Sequence, residues 1–186
     1  DAPGVDPRLV RRSLADVALA NALFGGTRAV LLELGTVLPE LDANATLLDV
    51  GSGVGDIAAR ARELARQQRV DLSLITIDMA ETLAVASRAR TGNAVRGNAT
   101  ALPFADRSVD IVMCSQTLHH FDDTSAARVL KELDRVARIR VIISDLRRSW
   151  LAAAGLWLAS FPLGFHPVSR HDGVVSIMRG YTRDEL

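Results

Sequence analysis

Three glycines at alternate positions, Gly51, Gly53 and Gly55, form the segment of this sequence that most strongly suggests chemistry. They follow a short apolar run at 46–50 and precede a helical pattern, so they mark a strand–turn–helix junction. Glycines let such a turn adopt positive φ and let a ligand approach the backbone closely. The following helix begins with unpaired N–H groups that suit an anionic ligand group. The segment therefore indicates a ligand site, although a tight turn without a ligand has the same pattern.

The spacing of the glycines bears on which ligand they would hold. A dinucleotide such as NAD or FAD requires a third small residue at position 56, where the chain has Asp56. A carboxylate there would face the pyrophosphate, so a dinucleotide is disfavoured. One acid, Asp49, precedes the glycines, and another, Asp78, ends the next apolar run. An acid in the position of Asp78 can bind both hydroxyls of a ribose, although alone it is an ordinary carboxylate after a strand.

The elements that would position these residues alternate along the chain. Short apolar runs at 46–50, 72–77, 94–96, 109–114 and 140–144 predict strands. Helical patterns at 56–68, about 80–90 and 125–137 separate them, and two further helices are predicted in the first forty residues. Such alternation is typical of an α/β fold with a mostly parallel sheet covered by helices on both faces.

Composition excludes several classes of protein. The 186 residues carry 22 basic and 22 acidic side chains, so no global charge favours nucleic acid, and we expect no nucleic-acid partner. The most apolar stretch, 150–163, is shorter than the roughly 18–20 residues that span a bilayer. The only cysteine, Cys114, cannot form an internal disulfide, and the first residues lack a signal pattern. We expect a cytoplasmic protein without a membrane span.

Five segments, in order, resemble those of one family. The run Leu-Leu-Asp-Val-Gly-Ser-Gly-Val-Gly at 47–55 resembles motif I of the class I S-adenosylmethionine (SAM)-dependent methyltransferases. Segments 97–106, 108–112, 115–121 and 133–137 are similar to the family's later motifs, including its Leu-His-His-Phe loop. The chain is therefore identified as a member of this family, in the quinone-biosynthesis-like group. The resemblance implies a Rossmann-like fold, SAM as the cofactor and no metal.

The resemblance also implies which residues bind the cofactor. Gly51 and Gly53 would line its methionine part, and Asp49 would hold the amino end. Asp78 would bind the ribose and Met79 would pack beside the adenine. Asn98 stands where the family usually has Asp at the adenine amino group, and it keeps an acceptor oxygen. The full implied set is Asp49, Gly51, Ser52, Gly53, Asp78, Met79, Asn98, Ala99 and Ser115.

Histidines are the candidate bases for methyl transfer, which otherwise requires mainly alignment and exclusion of water. The loop after the fourth strand borders the methyl group in this family, so we predict a catalytic role for His120, next to His119. His171, beside Asp172, is a second candidate. Packing within the loop and a solvated surface turn are the respective alternatives.

The acceptor is predicted from weaker features. The N-terminal helix and the Arg-His-Asp-Gly segment at 170–173 resemble a bacterial subgroup associated with polyketide and phenolic biosynthesis. In this family the segment after the fifth strand often forms a cap, and its apolar character here suits an aromatic or apolar small molecule. We therefore predict O-methylation of a phenolic or polyketide-type hydroxyl. C-methylation of a quinone-like ring, and SAM binding without transfer, stay open, as do a core helix and a homodimer contact for the apolar segment.

The resemblance finally implies an organisation for the chain. We predict one methyltransferase domain over 1–186, with an N-terminal helical cap at 1–40, a SAM-binding core at 41–148 and a substrate cap at 149–180. A complete sheet of this family has seven strands, whereas five are recognisable here. We expect the last two strands to be missing, and the final residues from Tyr181 resemble the start of a helix.

Overall fold

The computed structural model describes residues 7–182, 184 and 185, and these form two compact units. The sheet unit is Thr27–Ser144. The helical unit combines the described residues of Asp1–Gly26 and Asp145–Leu186. That both units make up one functional domain over 1–186 stays a prediction.

The helices and strands follow one another much as predicted. The helices are α1 Pro7–Leu23, α2 Gly26–Val37, α3 Asp56–Gln67, α4 Glu81–Thr91, α5 Asp123–Val136, α6 Trp150–Ala159 and α7 Pro167–Arg179. The strands are β1 Asn44–Val50, β2 Asp71–Asp78, β3 Ala94–Arg96, β4 Val109–Ser115 and β5 Ala137–Ser144. Two short 3-10 helices span Leu38–Glu40 and Leu118–His120.

The five strands form one parallel sheet in the order β3-β2-β1-β4-β5, which confirms the predicted α/β class and Rossmann-like sheet. In the centre, Leu48 of β1 pairs with Ile75 of β2 on one side and with Val112 of β4 on the other. Every residue of β4 is buried, which explains its apolar run at 111–114. Because all strands are parallel, their carboxyl ends meet at one edge of the sheet. We call it the carboxyl edge.

Helices cover both sides of the sheet through stripes of small and apolar residues. In α5, Asp122 caps the N-terminus by accepting a hydrogen bond from Ser125 N at 2.8 Å. The buried residues of α5 recur every three or four positions: Ala126, Val129, Leu133 and Val136. Helix α2 also buries its apolar stripe in the core of the sheet unit. The predicted N-terminal cap at 1–40 is therefore divided between the two units.

The junction between α5 and β5 differs from the prediction. The predicted helix at 125–137 and the predicted strand at 140–144 leave two residues between them. In the structure the helix ends at Val136 and the strand begins at Ala137 without a loop. Ala137 already has extended backbone angles while its N–H still bonds to Leu133 O, so no left-handed residue is needed.

The helical unit is built from α1, α6 and α7. Buried Asp16 of α1 accepts a hydrogen bond from His166 N at 2.9 Å, at the start of α7. Arg170 of α7 donates to Ser160 Oγ at 2.7 Å, just beyond α6. The segment 170–173 is thus helical and not a surface turn. The helix expected from Tyr181 onward includes Arg183 and Leu186, which lie outside the described residues.

No single helix among the residues that the structure describes is both long and apolar enough to cross a bilayer. The consecutive stretches Arg12–Leu23 and Gly26–Glu40 meet the length and composition criteria only when they are taken together.

A polar network ties together the starts of the central strands. Asp110 Oδ2 accepts hydrogen bonds from Thr46 N at 2.9 Å and from Thr46 Oγ1 at 2.8 Å. Its other oxygen lies 2.9 Å from Arg138 Nη2 of β5. Asp110 also sits where the register between β4 and β5 shifts. The carboxylate therefore joins three strands at the edge opposite the carboxyl edge.

We predict that Asp110→Ala lowers the free energy of unfolding by about 2 kcal/mol, because it leaves the partly buried N–H of Thr46 and the Arg138 cation without their partner. Urea unfolding followed by circular dichroism measures the change. Asp134→Ala, on the exposed face of α5, is the control and should have little effect. An equal effect of the two substitutions would contradict the structural role of Asp110.

Candidate functional site

The glycine loop between β1 and α3 begins the site. All three glycines have positive φ, at 71°, 54° and 72° for Gly51, Gly53 and Gly55. A side chain at Gly51 would overlap Thr117 in the loop after β4, so glycine is required there for packing. A Cβ at Gly53 would meet no heavy atom within 4 Å. The glycine loop therefore packs against the loop after β4 at Gly51. At Gly53 it is open, so a ligand could approach the backbone there.

The carboxylate of Asp78 is fixed against this loop at the end of β2. Its Oδ2 accepts a hydrogen bond from Gly53 N at 3.0 Å, and its Oδ1 accepts one from Ala80 N at 3.0 Å. The loop is held to the same strand by Gly51 N, which donates to Ile77 O at 2.9 Å. Each carboxylate oxygen can accept a further hydrogen bond. Asp78 is thus oriented while it can still accept hydrogen bonds from a ligand.

Asp49, the second-last residue of β1, is almost completely buried, with 2% of its surface exposed. Burial raises its pKa to about 8, and the negative charges of Asp56 and Asp78 add to the increase. Near neutral pH the Asp49 carboxyl therefore holds a proton for much of the time. A cation bound beside it would reverse this effect and favour the ionised form.

Two buried hydroxyl groups at the carboxyl edge lack hydrogen-bond partners within the part of the chain that the structure describes. They are Ser52 Oγ in the glycine loop and Ser115 Oγ at the end of β4. Strands β1 and β4 are neighbours, and Val50 pairs with Cys114 immediately before these positions. Buried polar groups are rarely left unpaired in folded proteins. Both hydroxyls are therefore suited to a polar ligand group.

A turn at 98–101 follows β3. Asn98 Oδ1 accepts a hydrogen bond from Thr100 N at 2.9 Å, so the side chain folds back on its own turn. The amide oxygen has a second lone pair, and the Asn98 residue is exposed. Ala99 is half-buried. Met79, the residue after Asp78, is 58% exposed, so its side chain is available to pack against a planar ring.

These features fit SAM, the cofactor implied by the motif. SAM carries a positively charged sulfur and a cationic amino group, which suit an edge that gathers Asp49, Asp56 and Asp78. Its ribose hydroxyls are donors for an oriented carboxylate such as Asp78. The open space at Gly53 and the unpaired hydroxyls of the loop and β4 provide room and polar partners. The residues present therefore fit the cofactor.

The two predicted catalytic histidines belong to different units. His120 lies in the 3-10 helix after β4, in the sheet unit, and its ring centroid is 4.1 Å from that of buried His119. His171 is exposed on α7, in the helical unit, as is Asp172. His166, which precedes α7, caps this helix by accepting a hydrogen bond from Val168 N at 3.3 Å.

Sequence reasoning did not identify two residues of the loop after β4. Thr117 Oγ1 donates to Ser115 O at 3.0 Å and lies 3.4 Å from Gly51 O, so it occupies the space beside the glycine loop. Gln116 has a φ of 53°, which is uncommon for a residue with a side chain, and its N–H donates to Ser144 O at 2.7 Å. Neither property is visible without knowing that β1, β4 and β5 are adjacent.

Comparison with known proteins places this geometry in a family. A model described as "Methyltransferase domain" matches residues 48–143. An uncharacterized methyltransferase of Mycolicibacterium gilvum is 31% identical over 147 residues, which cover 76% of this chain and 49% of the relative. A demethylmenaquinone methyltransferase of a Roseiflexus strain is 33% identical over 117 residues, covering 59% and 47%. The chain thus spans about half the length of these curated relatives.

A solved structure shows the same fold. It is a SAM-dependent methyltransferase of Thermotoga maritima, described as a possible histamine N-methyltransferase. It is 18% identical, with a TM-score of 0.58, over 96% of this chain and 75% of that one. The family model covers just over half of the chain and includes the glycine loop, Asp78 and the loop after β4. The chain therefore belongs to the methyltransferase domain family, which implies S-adenosyl-L-methionine as its cofactor.

Proposed function

We propose that this chain carries the cofactor site of a SAM-dependent methyltransferase that acts on a small molecule. The observation that carries the proposal is the contact between Asp78 and Gly53, because it fixes a ribose-binding carboxylate against an open glycine loop. Family membership and the methyltransferase relatives support the same activity. The activity of the whole protein is part of this proposal.

Different residues would bind different parts of the cofactor. Gly51, Ser52 and Gly53 would surround the methionine part, where Asp49 would face the positive charges. Asp78 would accept hydrogen bonds from the ribose hydroxyls. The remaining predicted contacts, to the adenine and the amino group, come from Met79, Asn98, Ala99 and Ser115. The contacts of Asp78, the exposure of Met79 and the unpaired hydroxyls of Ser52 and Ser115 support this division.

The protein's part in the reaction is alignment and proton removal. When bound, SAM supplies a methyl group on a positively charged sulfur, an already activated carbon. The glycine loop and Asp78 would hold this carbon in line with the acceptor oxygen. His120 would take the hydroxyl proton as the new carbon–oxygen bond forms, and His171 is the second candidate for this role. As the methyl group leaves, the sulfur would keep the bonding electron pair and become neutral.

The acceptor is proposed to be an aromatic or apolar small molecule that is methylated on a phenolic or polyketide-type hydroxyl. Helix α6 and the residue Phe161 beyond it support an apolar acceptor, since Trp150, Trp157 and Phe161 are each about half or more exposed. C-methylation of a quinone-like ring is the second candidate, favoured by the similarity to the demethylmenaquinone methyltransferase. The same exposed side chains would also suit a homodimer contact.

The ribose role of Asp78 predicts a graded loss of affinity. Asp78→Ala should weaken SAM binding about a hundredfold, because it removes two charge-assisted hydrogen bonds to the ribose. Asp78→Asn keeps one acceptor oxygen and should lose about tenfold. Calorimetric titration with SAM and with its demethylated product measures both. Asp71→Ala, exposed at the start of the same strand, is the control, and unchanged affinity in Asp78→Ala would remove the ribose role.

The raised pKa of Asp49 predicts a pH dependence of stability. Between pH about 4 and about 8, the buried carboxyl keeps a proton that the unfolded chain has lost. The unfolded state then binds fewer protons, so this group lowers the free energy of unfolding as pH rises, by at most about 1.4 kcal/mol per pH unit.

Urea unfolding at several pH values, in wild type and Asp49→Asn, isolates this contribution. Asp49→Asn should remove the downward slope and be the more stable protein near pH 8. Saturating SAM should also reduce the slope in the wild type, because its positive charges favour the ionised carboxylate. Parallel pH profiles of the two proteins would contradict the assignment of the shifted group.

General-base catalysis predicts that one histidine substitution slows transfer. His120→Ala should lower the rate at saturating SAM about a hundredfold and leave SAM affinity unchanged, and His171→Ala is compared with it. The assay uses labelled SAM with a panel of phenols, quinones and alkylresorcinols, and mass spectrometry locates the methyl group. Methyl on carbon would replace the proposed O-methylation by the second candidate. Unchanged rates in both variants would exclude both histidines as the base.

A further inference from the structure

An ion pair on α5 holds residues 102–106, a loop of the sheet unit that is neither helix nor strand. Arg135 donates from Nε and Nη2 to the two carboxylate oxygens of Glu132, each at 2.8 Å. The remaining guanidinium hydrogens reach the loop: Nη2 donates to Leu102 O at 3.0 Å, and Nη1 to Phe104 O at 2.8 Å and to Asp106 Oδ1 at 2.7 Å. One side chain therefore joins the helix to three positions of the loop.

Glu132 completes the attachment. Its Oε2 accepts a hydrogen bond from Leu102 N at 2.7 Å, so both backbone polar groups of Leu102 are held by the pair. Leu102 is itself buried. The hydrogen bonds to the pair lower the pKa of Glu132 and raise that of Arg135, so both groups are ionised across the physiological range. The planar guanidinium forms these bonds in one arrangement, which the point charge of a lysine could not reproduce.

The turn at 98–101 lies between this attachment and another one. Ala101 N donates to Asn98 O at 3.1 Å and closes the turn immediately before Leu102. On the other side, Gly97 N donates to Asp78 O at 3.0 Å. The turn therefore has one anchor on the strand end that carries the ribose-binding carboxylate and one anchor on the ion pair. Its distance from Asp78 depends on both.

We infer that Glu132 and Arg135 are positioning residues that place the turn at 98–101 for recognition of the adenine end of the cofactor. This inference rests on the proposed function, in which Asn98 and Ala99 contact the adenine. Neither residue of the pair touches the cofactor in this scheme. Loss of the pair would release the turn at its Leu102 end and leave the Gly97 anchor and the glycine loop in place.

A merely structural role would weaken all parts of the cofactor site together, whereas a positioning role affects the adenine alone. S-adenosylhomocysteine and S-inosylhomocysteine separate the two roles. In the second compound a carbonyl oxygen replaces the adenine amino group and the adjacent ring nitrogen carries a hydrogen, so the contacts expected at Asn98 and Ala99 are lost. The ratio of the two affinities therefore measures adenine recognition.

Calorimetric titration of the purified full chain with both compounds tests the inference. The wild type should prefer S-adenosylhomocysteine by about tenfold or more. Arg135→Gln should weaken that compound about tenfold and S-inosylhomocysteine far less, so that the ratio approaches one. Arg135→Lys should not restore the ratio. Arg128→Gln, exposed on the same helix, is the matched control and should keep the wild-type ratio.

The outcomes distinguish the inference from the proposed function. Asp78→Ala should weaken both compounds and keep the ratio, because it acts on the ribose. A folded Arg135→Gln protein with the wild-type ratio, or a wild type without preference, overturns the inference. Should Arg135→Gln not fold, Glu132→Gln keeps the size of that side chain but removes the charge of the pair, and an unchanged ratio in that variant overturns the inference equally. A wild type that binds neither compound overturns the proposed function and the inference with it.

Discussion

The hydrogen bond from Gly53 N to Asp78 Oδ2 is the interaction on which the arrangement of the site depends. It joins the loop after β1 to the end of β2, and its geometry requires a backbone that only glycine adopts easily, at a φ of 54°. Because the strands are parallel and adjacent, their ends are already close before any side chain is considered. The hydrogen bond then fixes the carboxylate and the loop as one surface. A cofactor with a ribose and a charged methionine end would meet donors and acceptors that need no rearrangement.

The same edge concentrates negative charge. Burial raises the pKa of Asp49 to about 8, and the nearby negative charges of Asp56 and Asp78 add to the increase. The protein alone therefore holds a destabilising arrangement of acids, which a cationic ligand would relieve. A site that binds a positively charged cofactor is expected to lower the stability of the protein alone in this way. The buried core of the sheet offsets this loss of stability. The core of Leu47, Ile111, Met113 and Ala61 shows no exposed surface.

Much of this could be predicted from the sequence, for identifiable physical reasons. The five strands were recognisable because buried parallel strands are continuous apolar runs, and the glycine loop because its residue types have few other uses. The direct transition at Val136–Ala137 was missed, because the apolar run at 140–144 does not show that the strand already begins at Ala137. The packing of α2 in the core of the sheet unit could not be predicted either, because an apolar stripe does not identify the surface that it packs against. The Glu132–Arg135 pair was invisible because its partners are mostly backbone atoms some thirty positions away.

The use of backbone N–H groups at the carboxyl edge also helps to explain why a protein with 18% identity shares this fold. Gly53 N and Ala80 N donate to the carboxylate of Asp78, Leu102 N donates to Glu132, and Gly51 N donates to a backbone oxygen. The cofactor edge therefore constrains only a few side chains. Core positions are limited mainly by volume and can change together. Acceptor recognition has no such backbone template, and it would depend on side chains. Likeness of fold therefore does not identify the acceptor, whose chemistry has to come from those side chains.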